Sequence, residues 1–284
     1  MTSAIEWFPA PGKLNLFLHV LGRRGDGYHE LQTVFRLIDR QDRVGIRVRR
    51  DGEIRCDPPL PGVAPDDHLG VRAARLLRTA SGTALGADLT VEKNLPLGGG
   101  LGGGSSNAAT VLLVLNRLWR TELSRAALMQ LGLRLGADVP LFVFGENALG
   151  EGLGERLTAL ALPGAWYLVL VPPVNVVTAS IFGDNALTRN TKELKIPPFF
   201  RGLGKNDLEA VAVRRHPEIG AHLEWLRMRR REARMTGSGA CVFAEFDNEA
   251  EARAVLAELP GGMHGFVARG LERHPLHDWA NGND

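Results

Sequence analysis

Apolar and polar positions alternate in some stretches of the chain and recur at helical spacing in others, and the two patterns are interleaved from end to end. Residues 14–21 and 44–49 are short β-prone stretches separated by Gly/Asp turns, and 53–56 and 89–92 resemble them. The front of the chain is therefore read as a strand-rich sheet. Between these stretches, 69–79 sets Leu69, Ala73, Leu76 and Leu77 on one face and stops at Ser81-Gly82, which predicts a helix. Residues 105–119 and 124–135 predict two packed helices, the second opening on an N-cap serine, Ser124. Beyond Gly136 the pattern predicts strands at 141–144, 167–171 and 240–246 and helices at 207–213, 217–227 and 249–258. This irregular mixture indicates an α+β fold rather than a regular βαβ series. Gly150, Gly152, Gly154 and Pro163 thin the pattern and suggest a boundary there. Residues 184–204, with Pro197, Pro198, Gly202 and Gly204 near their end, read as an exposed connection.

Composition narrows the class. The chain has 284 residues, 44% hydrophobic and 23% charged, enough for one large domain or two intimate ones and unlike a disordered or fibrous protein. A formal net charge of +2 argues against a general nucleic-acid or membrane-surface binder and leaves small acidic ligands as partners. The cluster Arg227, Arg229, Arg230, Arg231 and Arg234 reads as a solvated helix end. Cys56 and Cys241 lie in no CxxC or Cys/His spacing, so neither a disulfide framework nor a zinc site is expected. The opening residues lack a basic segment followed by an apolar run. The longest apolar stretch, 166–177, is interrupted by Pro172 and Pro173 and falls short of the roughly 18 residues of a spanning helix. A cytoplasmic protein is expected.

Glycine is the departure from the average: 34 of 284 residues, about 12% against a usual 7%. Six of them fall in Pro96-Leu97-Gly98-Gly99-Gly100-Leu101-Gly102-Gly103-Gly104-Ser105-Ser106-Asn107, directly before a predicted helix. Such a cluster costs stability unless the backbone must do what other residues cannot. Without Cβ atoms the peptide N–H groups can approach phosphate oxygens, and the following helix adds its unpaired N–H groups and the positive end of its dipole. A flexible linker is the competing explanation, but linkers are not normally wedged between a strand and an apolar helix. No Gly-Lys-Ser/Thr ends the segment, so it is no Walker A loop, and it fits the dinucleotide fingerprint poorly.

Residues 96–109 resemble the central signature of the GHMP small-molecule kinases, in which a Pro-x-x-x-Gly-Leu-Gly-x-Ser-Ser motif wraps ATP phosphates. Pro11-Gly12-Lys13-Leu14-Asn15-Leu16 is similar to the first motif of that family, and residues 235–244, containing Gly237-Ser238-Gly239, to the third. The resemblance implies a two-domain GHMP kinase fold. Its N-terminal domain, 1–156, is ribosomal protein S5 domain 2-like and its C-terminal domain, 157–284, is ferredoxin-like, with the active site in the cleft between them. Arg24-Gly25-Asp26-Gly27-Tyr28-His29-Glu30-Leu31 and Leu135-Gly136-Ala137-Asp138-Val139-Pro140 resemble one branch of the family. That branch phosphorylates the 2-hydroxyl of a cytidyl-diphosphate methylerythritol in the non-mevalonate isoprenoid route. Homoserine- or mevalonate-type members, and a non-catalytic nucleotide-binding regulator with the same fold, are the competing readings. Gly27-Tyr28-His29 speaks against the former and intact Lys13 and Asp138 against the latter.

By the same resemblance, Asp138 is the general base that receives the hydroxyl proton, although an aspartate in Gly-x-Asp-x-Pro also suits a helix cap or turn. Lys13 lies beside it and polarises the hydroxyl. Lys13 and Asn15 alternate along a strand and so share one face, in one cleft. Tyr28 and His29 read a cytosine, with Phe182 as the second aromatic face and Thr178 as a polar neighbour. Lys93 and the loop Pro96, Leu97, Gly98, Gly99, Gly100, Leu101, Gly102, Gly103, Gly104, Ser105 and Ser106 hold ATP. Magnesium comes with the nucleotide, Ser105 or Ser106 being able to supply one ligand; metal-binding residues are not assigned. Asp67-His68-Leu69 stands where Asp-Asn-Leu is usual, so His68 either replaces an adenine-side asparagine or is simply exposed.

Overall fold

Two long strands dominate the first half of the chain, with continuous burial through most of the first and the middle of the second. β1 (Glu6–Arg23) and β2 (His29–Arg49) pair antiparallel around a turn at Gly27. In the computed structural model, which describes residues 4–59, 62–195, 204–230 and 232–280, these strands belong to a six-stranded sheet. It contains β3 (Ile54–Cys56), β4 (Gly86–Glu92), β5 (Ala148–Gly152) and β6 (Arg156–Ala159) in the order β3-β4-β2-β5-β6, with β1 on β2. Four helices cover one face: α1 (Leu69–Ser81), α2 (Gly103–Leu118), α3 (Arg125–Leu133) and α4 (Val139–Phe144). α2 is buried continuously from Ser106 to Asn116, as expected of a helix hydrophobic on all sides. Ser124 caps α3, its hydroxyl accepting from the Ala127 N–H.

The second half builds a four-stranded antiparallel sheet, β10-β7-β9-β8, from β7 (Trp166–Leu170), β8 (Arg234–Met235), β9 (Val242–Phe246) and β10 (Gly265–Arg269). β7 is buried on both faces. Tyr167 and Val169 pack with Leu14, Leu16, Phe17 and Val34 of the first sheet. Leu168 and Leu170 pack instead with the helices of this half, among α5 (Thr178–Phe182), α6 (Glu209–Arg215), α7 (Pro217–Arg227) and α8 (Glu249–Ala257). The layers therefore run helices, sheet, sheet, helices, with an apolar seam joining the two sheets. No helix among the described residues is long and apolar enough to cross a membrane.

Two expectations need correction. Residues 141–144 are not a strand but most of α4. Pro140 sits in its first turn, where a missing N–H costs nothing, and a short, wholly buried apolar run carries no period to separate strand from helix. Gly150, Gly152 and Gly154 lie within the β5–β6 hairpin rather than in a linker. The described part of the expected exposed connection, 184–195, does run without helix or strand and is largely exposed, but it is stitched down at several points. Gln32 exchanges two hydrogen bonds with Leu194 (2.8 and 3.1 Å), Asp184 pairs with Arg214 and Arg215, and Leu187 is buried. Pro197, Pro198 and Gly202 lie outside the described residues.

The arginine cluster is tied into its own surroundings. Arg227 pairs with Glu209, Arg229 with Glu258 and Arg230 with Glu251. Arg229 and Arg230 also lie over the rings of Trp225 and Phe246, and Arg234 donates to the Leu16 carbonyl (2.7 Å). Arg231 lies outside the described residues.

Leu112 on α2 is fully buried between the helices and the first sheet, whereas Leu97 is 69% exposed. Leu112→Ala is expected to lower the free energy of unfolding by about 2–5 kcal/mol, and Leu97→Ala by under ~0.5 kcal/mol, both measured by denaturant titration.

Candidate active site

The first of the three glycine- and lysine-bearing motifs enters the site on β1. The register between β1 and β2 shifts between Asn15 and Phe17, so Leu14, Leu16 and Phe17 all reach the seam between the sheets while Lys13 and Asn15 share the other side. Lys13 is 3% exposed. Its Nζ donates to Asn15 Oδ1 (2.6 Å) and lies 3.4 Å from Asp138 Oδ2 and 5.8 Å from the Phe35 ring centre. Asn15 Nδ2 passes the chain on to Thr33 Oγ1 (2.9 Å), whose hydroxyl donates to the Phe17 carbonyl. The pair predicted to share a cleft does so, each polar end fixed by another.

Asp138 occupies the position before α4, where an aspartate ordinarily caps the helix, yet its side chain accepts no capping bond. It turns to Lys13 instead and keeps about a third of its surface exposed. A carboxylate freed from its local backbone partner, paired with a buried ammonium and open to a cavity, can receive a proton from a bound hydroxyl.

The glycine loop lines a cavity of about 220 Å³ together with Lys93 and Leu69. Gly98, Gly100 and Gly102 have φ of +65°, +76° and +72°, alternating with residues of ordinary φ. This alternation of hand gathers successive N–H groups on one side into a concavity for anions. Gly100 cannot be replaced without strain, because a Cβ there would collide with the Thr236 carbonyl oxygen and L-residues disfavour that φ. α2 begins at Gly103, and its first N–H groups face the same space. Ser105 lines this cavity and also the larger one beside it. Ser106 is fully buried one turn into the helix and lines neither.

Lys93 is placed by a residue with no motif around it. Asp42, fully buried, pairs with Lys93 Nζ and accepts from the N–H groups of Asn94 (2.7 Å) and Leu95 (2.8 Å). A Cβ at Gly103 would stand 3.0 Å from Lys93 Nζ, so the ammonium lies against the first turn of α2. His68 is not exposed: it is buried at the N-cap of α1, where Nδ1 accepts from Val71 N–H (3.2 Å) and burial lowers its pKa.

The third motif closes the site from the second half. Thr236 Oγ1 accepts from the Asn15 N–H (2.9 Å), Cys241 N–H donates to Gly99 O (3.1 Å), and Lys13 N–H donates to Leu101 O (3.0 Å). All three motifs are thus bonded to one another, the loop to each of the others backbone to backbone. Asn206, which carried no signal in the sequence, holds the closing turn by donating to the carbonyls of Met235 and Gly237 (both 2.8 Å). Burial pushes the Cys241 thiol up to about 12; it packs beneath Gly99 as a small apolar group.

The larger cavity, about 320 Å³, lies where the halves meet and takes in Lys13, Asn15, Asp138, Thr178, Phe182 and the turn Gly237-Ser238-Gly239. Thr178 and Ser238 hydroxyls bond across it (2.7 Å). His29 stands beyond its rim, 5.2 Å from the Phe182 ring with 32° between the planes. Tyr28, 62% exposed, projects from the turn held by Asp26, whose Oδ1 accepts its N–H. Among the described residues no group of three or more His, Cys, Asp or Glu is placed to hold a metal ion.

Known proteins resemble this chain in sequence and fold. Residues 68–146 match the family model of the GHMP kinases N terminal domain and residues 190–264 that of the GHMP kinases C terminal. A protein of Thiobacillus denitrificans named 4-diphosphocytidyl-2-C-methyl-D-erythritol kinase is 61% identical, over 96% of this chain and 98% of its own length. One of Nitrosomonas europaea with the same name is 56% identical, over 97% and 100%. A crystal structure of 4-(cytidine 5'-diphospho)-2C-methyl-D-erythritol kinase superposes with a TM-score of 0.80 at 33% identity, over 93% of this chain and 99% of that one. Mevalonate kinase of Methanococcus jannaschii shares the fold at 15% identity, with a TM-score of 0.68 over 95% and 99% of the two chains. With both family models matched in order and full-length relatives at this level of identity, the chain belongs to the GHMP kinase family.

Proposed function

We propose that the chain transfers the γ-phosphoryl group of ATP to the 2-hydroxyl of 4-diphosphocytidyl-2-C-methyl-D-erythritol, releasing ADP and the 2-phosphate. The observation that carries the chemistry is Asp138: a carboxylate at a helix start that leaves the helix uncapped and pairs with Lys13 (3.4 Å) in the cavity next to the phosphate loop. The substrate follows from the shared name of relatives 54–61% identical over nearly the whole chain and from the His29–Phe182 ring pair. The homoserine and mevalonate kinase structures that superpose on this chain share only 13–15% identity with it, and a non-catalytic regulator would have no use for the Lys13–Asp138 pair.

In this reading the loop Pro96 to Ser105 and Lys93 hold the triphosphate, so that the γ-phosphorus faces the larger cavity. As the substrate oxygen bonds to phosphorus, its proton passes to Asp138 and the bond to the ADP oxygen breaks. Lys13 neutralises charge on the hydroxyl oxygen and the phosphoryl oxygens, and Asn15 keeps its ammonium in place. The nucleotide would enter as its magnesium complex, and Ser105, which lines both cavities, would offer a hydroxyl to the ion, whose charge would offset that of the phosphates. Tyr28, His29 and Phe182 hold the cytosine, with Thr178 next to them.

The purified protein is expected to transfer labelled γ-phosphate to the cytidyl compound and not to homoserine or mevalonate, with the position of the product phosphate read by NMR. Transfer to either of the latter alone would overturn the substrate assignment. Asp138→Asn is expected to lower kcat by roughly 10²–10⁴-fold while ATP affinity stays within a few-fold; wild-type turnover would remove the base from this position. Tyr28→Ala is expected to raise KM for the cytidyl substrate by tenfold or more, about what the loss of one base–aromatic stack costs, and to leave KM for ATP unaltered. Equal small effects on both would exclude a stacking role.

A further inference from the structure

The end of α5 and the start of β2 come together at one guanidinium. Arg189 donates from Nε to His29 Nε2 (2.9 Å), from Nη1 to Leu187 O (3.1 Å), and from Nη2 to Phe182 O (2.9 Å) and Asp184 O (2.8 Å). A guanidinium only donates. Nε2 of His29 must therefore be the unprotonated nitrogen, and the neutral ring carries its hydrogen on Nδ1. Burial, and then the charges of Arg189 and Arg23, lower the His29 pKa and keep the ring neutral. No motif announces Arg189: it sits 160 positions along the chain from its histidine, in Leu187-Thr188-Arg189-Asn190.

We propose that Arg189 is a positioning residue that sets pyrimidine discrimination, by occupying His29 Nε2 and leaving the Nδ1–H donor as the imidazole nitrogen that meets the base. This rests on the cytidyl reading of the site. Cytosine has an unprotonated ring nitrogen, N3, beside an acceptor oxygen, whereas uracil carries a hydrogen on N3. The Nδ1–H imidazole donates to the first and opposes the second, and the other tautomer reverses the preference. A polar group matched to one partner and left unpaired by the other discriminates more strongly than apolar shape. Through the Phe182 carbonyl the same guanidinium holds the ring that His29 packs against, so tautomer and aromatic wall are set together.

The test compares the wild type with Arg189→Met, which keeps chain length and removes every donor, and Arg189→Lys, which keeps charge but not the fork. Protein labelled with ¹⁵N-histidine is read by NMR, the His29 signals being assigned from His29→Gln, and kinetics are measured with the cytidyl-diphosphate substrate and its uridyl analogue. In the wild type His29 is expected as the Nδ1–H tautomer. In Arg189→Met the hydrogen moves to Nε2, and KM for the cytidyl substrate rises roughly tenfold to a hundredfold. KM for ATP is unchanged, and the cytidyl-over-uridyl ratio of kcat/KM falls by a similar factor. Arg189→Lys lies between. An Nε2–H tautomer in the wild type, or an unchanged base ratio in Arg189→Met, would overturn the proposal. If Arg189→Met does not fold, the tautomer read in the wild type decides, an Nε2–H ring overturning the proposal and an Nδ1–H ring supporting it. A wild type that phosphorylates neither pyrimidine compound while showing the Nδ1–H tautomer would instead overturn the functional reading.

Discussion

A buried ammonium is the constraint around which this site is arranged. An unpaired charge taken out of water is too costly to keep, and Lys13, 3% exposed, is deep in the junction of the two sheets. Its neighbours are therefore not free to vary. Asn15 and Asp138 face the charge, the Phe35 ring lies under it, and its backbone N–H is committed to the phosphate loop. Asn15 is in turn bonded to Thr33 and, through its own N–H, to Thr236 in the other half of the chain. One cation thus requires the first sheet, the loop and the closing turn to be in register before any substrate arrives, and that preorganisation suits transfer of a phosphoryl group between two bound reactants.

In the proposed function anion binding is handled differently, in a way that fits the near-neutral charge of the chain. The loop relies on N–H groups turned inward by glycines of positive φ and on the start of α2, so few side-chain cations are needed. The cation that is present, Lys93, is anchored by Asp42, a carboxylate that also accepts from two backbone N–H groups and so is fully engaged. The loop itself is held by the second half of the molecule: Cys241 N–H reaches Gly99, and the Thr236 carbonyl fills the space a side chain at Gly100 would take. Phosphate binding and closure of the two halves are one structural arrangement rather than two.

The residues proposed to recognise the base at the other end of the cavity also span the halves. His29 and Tyr28 belong to the first sheet's opening turn, Phe182 and Thr178 to α5, and Arg189 joins them through four hydrogen bonds. The segment after α5 is fastened by Asp184 to Arg214 and Arg215 and by Leu194 to Gln32. It is a loop by its backbone, but Asp184, Arg189 and Leu194 find partners across the fold.

Local signals carried much of this. The helix of 69–79 runs 69–81 and that of 105–119 runs 103–118, because periodicity and caps act over neighbouring residues. The three motifs were legible because glycine and lysine in those spacings serve backbone geometry and charge directly. Where local information was degenerate, the sequence misled: the apolar run at 141–144 suits a strand or a helix equally, and the position of Asp138 suits a cap as well as a base. Only packing against α2 and α3 decided that 141–144 is helical, and only the proximity of Lys13 shows Asp138 turned away from the cap. Asp42, Asn206 and Arg189 left no trace in the sequence, since their roles are bonds to backbone and side chains 29 to 160 positions away. The sequence by itself determined which backbone can wrap a phosphate and which residue types can move a proton. Tertiary structure alone decided which polar group meets which, because that depends on how distant segments pack and not on what lies beside them in the chain.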